Sequence, residues 1–550
     1  MHALLTHSAL ALLAAVGDPL IVENTHEVEQ PLVLSALNDH LGSGLALQGN
    51  TLVLGAMDDL SHGDSAGAAY WFELINGTWT FQAELFGSNT KANDWFGSAV
   101  ALDGDTLAIA GEHDNEPGAQ GGSVYVFVRQ GGAWVEQAHL TPGDWDPFDH
   151  FGASLALEGD RLVIGATEPG WPSIGYQGPG VVYVFERSGT TWSQTARLHA
   201  QDDDDYDHLG SSLALQGDTI VAAAPGEDAG ALNSGAVVVF TFNGSAWSQV
   251  AKLKSGDPSS SQTFGYDLAL QGTTLVIGAS EDSAALAFGG AAYVFEGAGA
   301  SWTQVQKLVP ADLASFDHFG TSVDVDGDRL VVGAREADAA GTDSGATYLF
   351  RRFGGAWHEM SKLVPEGNQA EDELGRNVAI EGQRVVTASP LAAPEFWLPD
   401  AGAAYVLELA ESADFYCPAS INSSGKPARI DLGGSLSLAA NALTLELQDG
   451  PPGQLGMFVY GPNVGQIPLS NGWLCVAPGS VGIVRLPPAF HIDPSGHAAR
   501  TLDFTAPPLG SGIGQILAGS TWSFQGWFRD SPAGPGASNL TDAARITFQP

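Results

Sequence analysis

Four groups of side chains have types and spacings that suggest chemistry. Gly63-Asp64-Ser65-Ala66-Gly67 matches the G-x-S-x-G pattern of a serine nucleophile. That chemistry needs a strained strand-to-helix turn, with an acid and a histidine in reach. Asp257, Ser259 and Ser261 spell D-x-S-x-S, a metal-adhesion pattern of doubly wound domains. The run Asp202–Asp205 with Asp207 offers oxygens to a cation. Asp-His pairs recur at Asp39-His40, Asp149-His150, Asp207-His208 and Asp317-His318.

The elements that must position these groups are repeats. A Phe-Gly or Leu-Gly pair places its glycine at 42, 97, 152, 210, 265, 320 and 375, in steps of 55, 55, 58, 55, 55 and 55. Thirteen residues later a small residue closes an apolar run, at Gly55, Ala110, Gly165, Ala223, Gly278, Gly333 and Ala388. A third glycine opens the next strand at Gly67, Gly122, Gly180, Gly235, Gly290, Gly345 and Gly402. Twelve residues beyond it stands Trp79, Trp134, Trp192, Trp247, Trp302 or Trp357. Each unit reads as four short strands; SLALEG and RLVIGA, joined by Gly-Asp, suit a tight hairpin. Seven such units predict an all-β fold, a seven-bladed β-propeller.

Repetition decides how the first four groups read. Gly67 is the repeat glycine, so Ser65 reads as a turn residue. Asp257 and the Asp202–Asp207 run fall in connections between units and read as polar loop. Asp precedes the Phe/Leu-Gly pair also at Asp94 and Asp372, which predicts a turn-capping role in each blade. The equivalent Trp residues read as packing between blades.

The seventh unit carries Asp414 where the Trp belongs. Upstream of the first unit, Val28-Glu29-Gln30 and Leu32–Leu34 resemble Val135-Glu136-Gln137 and the apolar residues after it. Residues 22–36 are therefore expected to supply the last blade's fourth strand, leaving no open edge.

The repeated FG…GA…G-x-Y-V-F pattern over residues 22–410 resembles the FG-GAP repeats of integrin α-subunit propellers and bacterial secreted proteins. The resemblance implies extracellular adhesion or ligand binding. One feature departs from it. Integrin-type units insert a D-x-D/N-x-D-G calcium loop where this chain has only Asp103-Gly104-Asp105 or Asp324-Val325-Asp326-Gly327-Asp328. A two-residue turn cannot wrap six to eight oxygens around one ion, so no metal site is expected there.

The pattern stops near residue 411. Residues 415–550 alternate as LTLELQ, GMFVYG and STWSFQGWF between Gly/Pro turns, which predicts a C-terminal β-sandwich of roughly nine strands. Trp522, Phe524, Trp527 and Phe528 read as its core. The only cysteines, Cys417 and Cys475, suit a disulfide in an exported protein and two buried thiols in a cytoplasmic one. Residues 8–16, SALALLAAV, with Ala15-Val16-Gly17 behind them, resemble a signal peptide over 1–17.

Function is expected where the units differ. The connection from the GA position to the third glycine is longest in the third unit (Gly165 to Gly180) and the seventh (Ala388 to Gly402). These two carry aromatics: Trp171 and Tyr176 beside Glu168, and Phe396 and Trp397 beside Glu395 and Asp400. Trp171, Tyr176, Phe396 and Trp397 are the candidate ligand contacts, on the long-loop face rather than the face of tight glycine turns.

Charge narrows the partners. With 63 Asp and Glu against 21 Lys and Arg, the net charge of −42 repels phosphates, so nucleic acid and anionic membranes are poor partners. No stretch reads as a membrane span. The expected protein is a secreted, non-catalytic binder of an extracellular protein or glycan, with no cofactor. A glycan hydrolase or lyase, and a structural envelope or matrix component, are the alternatives.

Overall fold

The computed structural model describes residues 25–28, 39–116, 119–144, 148–167, 178–202, 204–353, 356–365, 367–392 and 401–409, and most of 414–547. The leader expected over 1–17 lies outside them. All regular structure among the described residues is β-strand. The chain divides into two compact units, Val22–Ala410 and a second taking in Glu411–Pro550.

Within Val22–Ala410 the strands form seven four-stranded antiparallel sheets, six of them running in chain order. The third sheet shows why. Its strands are Phe151–Glu158, Arg161–Ala166, Val181–Ser188 and Thr191–Leu198. The middle two are continuous apolar runs because both their faces are covered, and Leu162–Ala166 and Val181–Phe185 are fully buried. The outer strand TWSQTARL buries chiefly Trp192 and Leu198 and leaves polar side chains outside. Glu158 lies opposite Arg161, so Gly159-Asp160 is a two-residue turn, with Gly159 at φ 59°.

The seventh sheet draws on both ends of this unit. Asn377–Glu381, Arg384–Ser389 and Ala403–Glu408 are followed in space by Thr25–Val28, antiparallel, with Thr25 opposite Leu407 and Val28 opposite Ala404.

Three sets of contacts link each sheet to the next. The first strands touch in sequence, and the seventh sheet's first strand touches that of the first sheet. The backbone N–H of the Phe or Leu in the Phe/Leu-Gly pair donates to the carbonyl before the preceding sheet's third glycine. Phe264 N to Ser234 O (3.0 Å) is one instance, and Leu41 N to Ala401 O (3.1 Å) joins first sheet to seventh. Each turn glycine's N–H is accepted by a side chain of the previous sheet. The pairs run Gly104 to Gln48, Gly159 to Asp103, Gly217 to Glu158, Gly272 to Gln216, Gly327 to Gln271, Gly382 to Asp326 and Gly49 to Glu381. Asp103 and Asp326, the turn acids of the hairpins, are thus engaged in joining sheets.

The second linkage explains the third glycine. At Gly235, with φ 81°, a Cβ would stand 2.1 Å from Phe264 O, so only glycine lets the neighbouring backbone approach. Seven repeated sheets linked in this way are consistent with a β-propeller.

The second unit holds ten described strands, against roughly nine expected, in sheets of five, three and two. One core gathers Ile430, Leu445 and Leu447 from the three-stranded sheet with Phe458, Tyr460, Phe524 and Phe528 from the five-stranded one. Trp522, Phe524 and Phe528 are buried and Trp527 is half-buried. Buried Cys475 is disulfide-bonded, while Cys417 lies outside the described residues.

Candidate functional site

Opposite the turn glycines, the sheet-to-sheet connections meet the connections between second and third strands. His113 N donates to Asp94 O (3.2 Å), Gly226 N to Asp207 O (3.1 Å) and Glu336 N to Asp317 O (3.3 Å). The same aspartates cap their own turns. Asp94, Asp207, Asp317 and Asp372 each accept the backbone N–H three residues back, from Lys91, Asp204, Ala314 and Gln369. The next residues, Trp95, His208, His318 and Glu373, are left-handed, as are His40, His150 and Thr263 at the equivalent positions, all with φ between 52° and 57°. Side chains of this kind enter the left-handed region only where the surroundings fix it.

Lower on this end, a charged clamp recurs that the sequence reading missed. A fourth-strand cation reaches the acid of the preceding connection. Arg197 meets Asp144 (3.1 Å), Lys252 meets Asp202 (2.9 Å), Lys307 meets Asp257 (2.7 Å) and Lys362 meets Asp312 (3.0 Å). Lys307 also meets buried Asp282 (2.9 Å), which accepts from Tyr293 OH. Burial would raise the Asp282 carboxyl, but bonds from Tyr293 and Lys307 hold it below the ordinary value. Asp257 and Asp202, singled out above for metal or cation chemistry, serve these clamps. The signal was available, since Arg197, Lys252, Lys307 and Lys362 each stand five residues after the repeat Trp.

Ser65 contacts Asp58, which takes His40 Nδ1 at 2.7 Å. The carboxylate stands between serine and histidine, so this order does not activate a nucleophile. Burial works against that carboxylate, yet the bonds from His40 and Ser65 keep it below the usual range. Nearby, Trp95 lies flat on His113, centroids 3.4 Å apart, and burial lowers the proton affinity of that imidazole.

The junction of fifth and sixth sheets differs from the other described junctions. Two positions just before the third glycine and the Phe/Leu-Gly pair hold left-handed residues. They are Ser65, Gln120, Asn233 and Asp343 at the first, and Asn93, Phe148, Tyr206, Ser261 and Glu371 at the second. In this junction they are Phe288 (φ 50°) and Phe316 (φ 72°). The rings stack at 5.6 Å and 26°, yet Phe288 is 38% and Phe316 53% exposed, with Leu286 41% exposed in the same connection. Behind them stands His318, its ring 6.3 Å from that of Phe288. Its Nδ1 lies 3.2 Å from Glu281 and its Nε2 3.4 Å from Glu336. Arg335 continues the network, donating to Glu336 (3.0 Å) and to Tyr266 OH (3.1 Å). An exposed aromatic pair thus adjoins a run of hydrogen-bonding side chains.

The FG-GAP repeat family model matches residues 79–127, 134–185, 192–240, 247–295, 302–350 and 357–407, together just over half the chain. The chain belongs to the FG-GAP repeat family. Each matched segment starts at the Trp of one sheet and ends in the third strand of the next, so six FG-GAP matches span the junctions of seven sheets. No curated protein matches the chain.

Within this FG-GAP chain, Trp171, Tyr176, Phe396 and Trp397 lie outside the described residues, as do Glu168, Glu395 and Asp400. The described candidates are Phe288, Phe316 and the His318 network. Sequence reading passed over them because the fifth connection keeps the standard twelve-residue length. The available signal was residue type at one position, Phe288 where other described sheets carry Ser65, Gln120, Asn233 or Asp343. The turn end, expected to hold only tight turns, contains a cleft of about 400 Å³ lined by Glu158, Asp160, Arg161, Glu186, Arg187 and Asp218. Its arginines are consumed internally, Arg161 by Glu186 and Asp218 and Arg187 by Asp160.

Proposed function

We propose that the seven sheets are the blades of a closed propeller, followed by a β-sandwich, and that the protein is a secreted, non-catalytic binder. FG-GAP repeats are typical of extracellular or surface proteins, and no described helix is long and apolar enough to cross a membrane. The observation that carries the reading is the exposed Phe288–Phe316 stack. Phe288 occupies a left-handed position where Ser65, Gln120, Asn233 and Asp343 stand in other sheets, and Phe316 takes one that Phe148 and Tyr206 also fill with rings. Here alone among the described junctions the two rings stack while both face solvent. Strained backbone and solvent exposure make this pair of rings a costly choice for folding, and a ligand would make use of it. The partner is an extracellular protein or glycan, since the net charge of −42 disfavours nucleic acid and anionic surfaces.

A hydrolase or lyase reading would draw on Glu281 and Glu336. Both are engaged by His318 rather than arranged around an open space, which favours binding over turnover. The test is solid-phase binding of the full chain to extracellular proteins and glycans, paired with reducing-end and unsaturated-product assays. Saturable binding without product is expected. Product release would replace this reading with the enzymatic one, and the absence of both would leave a structural spacer.

A further inference from the structure

We infer that the Phe288–Phe316 platform is a saccharide subsite that takes an uncharged sugar ring. The inference rests on the binding reading above and adds the ligand's class. Three observations carry it.

The exposed apolar surface is small. Leu286, Phe288 and Phe316 are its members in these two connections, too few for the broad apolar centre of a protein interface, which spans roughly 800 Å² per partner. A pyranose needs only one or two ring faces, because its axial C–H groups form a flat apolar side.

The polar groups behind the rings are mixed. Glu281 and Glu336 accept, Arg335 donates, and His318 and Tyr266 offer both kinds of atom. Equatorial hydroxyls, each donor and acceptor at once, match such a set. A purely apolar or purely cationic ligand leaves half of it unused.

The charge is predominantly negative. Glu281 and Glu336 outnumber Arg335 behind the rings. At the next junction burial raises the Asp343 carboxyl, and the charges of Glu336, Asp338, Glu373 and Glu371 add to it. A field of that sign turns away uronates, sulfated sugars and phosphosugars.

The backbone supplies a clean variant. Asn233 and Asn93 occupy the positions equivalent to Phe288 and Phe316, and asparagine tolerates the left-handed region better than phenylalanine. The double variant Phe288→Asn/Phe316→Asn is therefore expected to melt no lower than wild type. Phe288→Ser, which copies Ser65 at the equivalent position, provides a second variant should the double one fold poorly.

The experiment screens the full chain against neutral oligosaccharides and their uronate-bearing or sulfated counterparts. The best neutral ligand is then titrated into wild type and the variants. Expected are neutral ligands bound, anionic counterparts refused, and affinity reduced about tenfold or more in a folded variant. Full retention of affinity in a folded variant, a preference for anionic sugars, or a blank array overturns the inference. A blank array combined with variant-sensitive binding of a protein or basic peptide overturns the saccharide class and leaves the binding end standing. Loss of neither kind of binding in the variant removes both.

Discussion

Three carboxyls hold protons well above the ordinary aspartate range, each mainly through burial. Asp94 rises to about 6, helped by the charge of Asp114, and Asp207 to about 7, helped by its bond to Glu227. Asp324 rises to about 7, helped by Asp267 and Asp326. Asp324 keeps slight solvent contact, but protein encircles it, and encirclement sets its proton affinity. A raised carboxyl binds its proton more tightly folded than unfolded. The stability it adds is complete below about pH 4, declines as pH rises, and is gone above its folded value. The melting temperature should fall between pH 5 and pH 8, and Asp324→Asn should flatten part of that slope; parallel slopes would show that Asp324 keeps its ordinary proton affinity. Little of this residue-scale behaviour was legible in the sequence. Capping by Asp94, Asp207, Asp317 and Asp372 could be read from repetition. Proton affinity depends on what surrounds a carboxyl, which repeats do not state.

At the scale of elements, the strands and their turns were legible because glycine positions and apolar runs recur in each unit. The clamps were overlooked because their partners lie in neighbouring sheets. Their energetics can be checked at both extremes. Lys307→Met leaves buried Asp282 without its cation and should cost about 2–3 kcal/mol, seen as a lower denaturant midpoint at unchanged slope. The first sheet inverts the pattern, placing Glu84 where the later sheets carry His139, Arg197, Lys252, Lys307 and Lys362. Buried Asp59 and Asp39 act on Tyr70 alongside Glu84, so three carboxylates gather there. Glu84→Lys should therefore stabilise by about 0.5 kcal/mol or more, against the usual direction of surface substitutions. A lower midpoint for Glu84→Lys would mean that Ser61 and His62, its present partners, matter more than the gathered charge.

At the scale of the whole molecule, the proposed protein is a closed ring with one functional end. Closure rests on Thr25–Val28 against Ala403–Glu408, on Leu41 N to Ala401 O, and on Gly49 N to Glu381. Deleting residues 18–36 removes the first of these and should lower the melting temperature; an unchanged melt would mean the ring closes without them. In the sequence, the long connections point to one face, and the proposed Phe288–Phe316 site lies in connections of that same kind. The most direct test compares equilibrium binding of one ligand to three proteins: wild type, Phe288→Asn/Phe316→Asn, and Asp160→Asn in the cleft of the opposite end. Affinity about tenfold or more weaker in the phenylalanine variant alone, with all three melting alike, is the predicted result. Weakening confined to Asp160→Asn would contradict a binding site at the Phe288–Phe316 end and move it to the turn end.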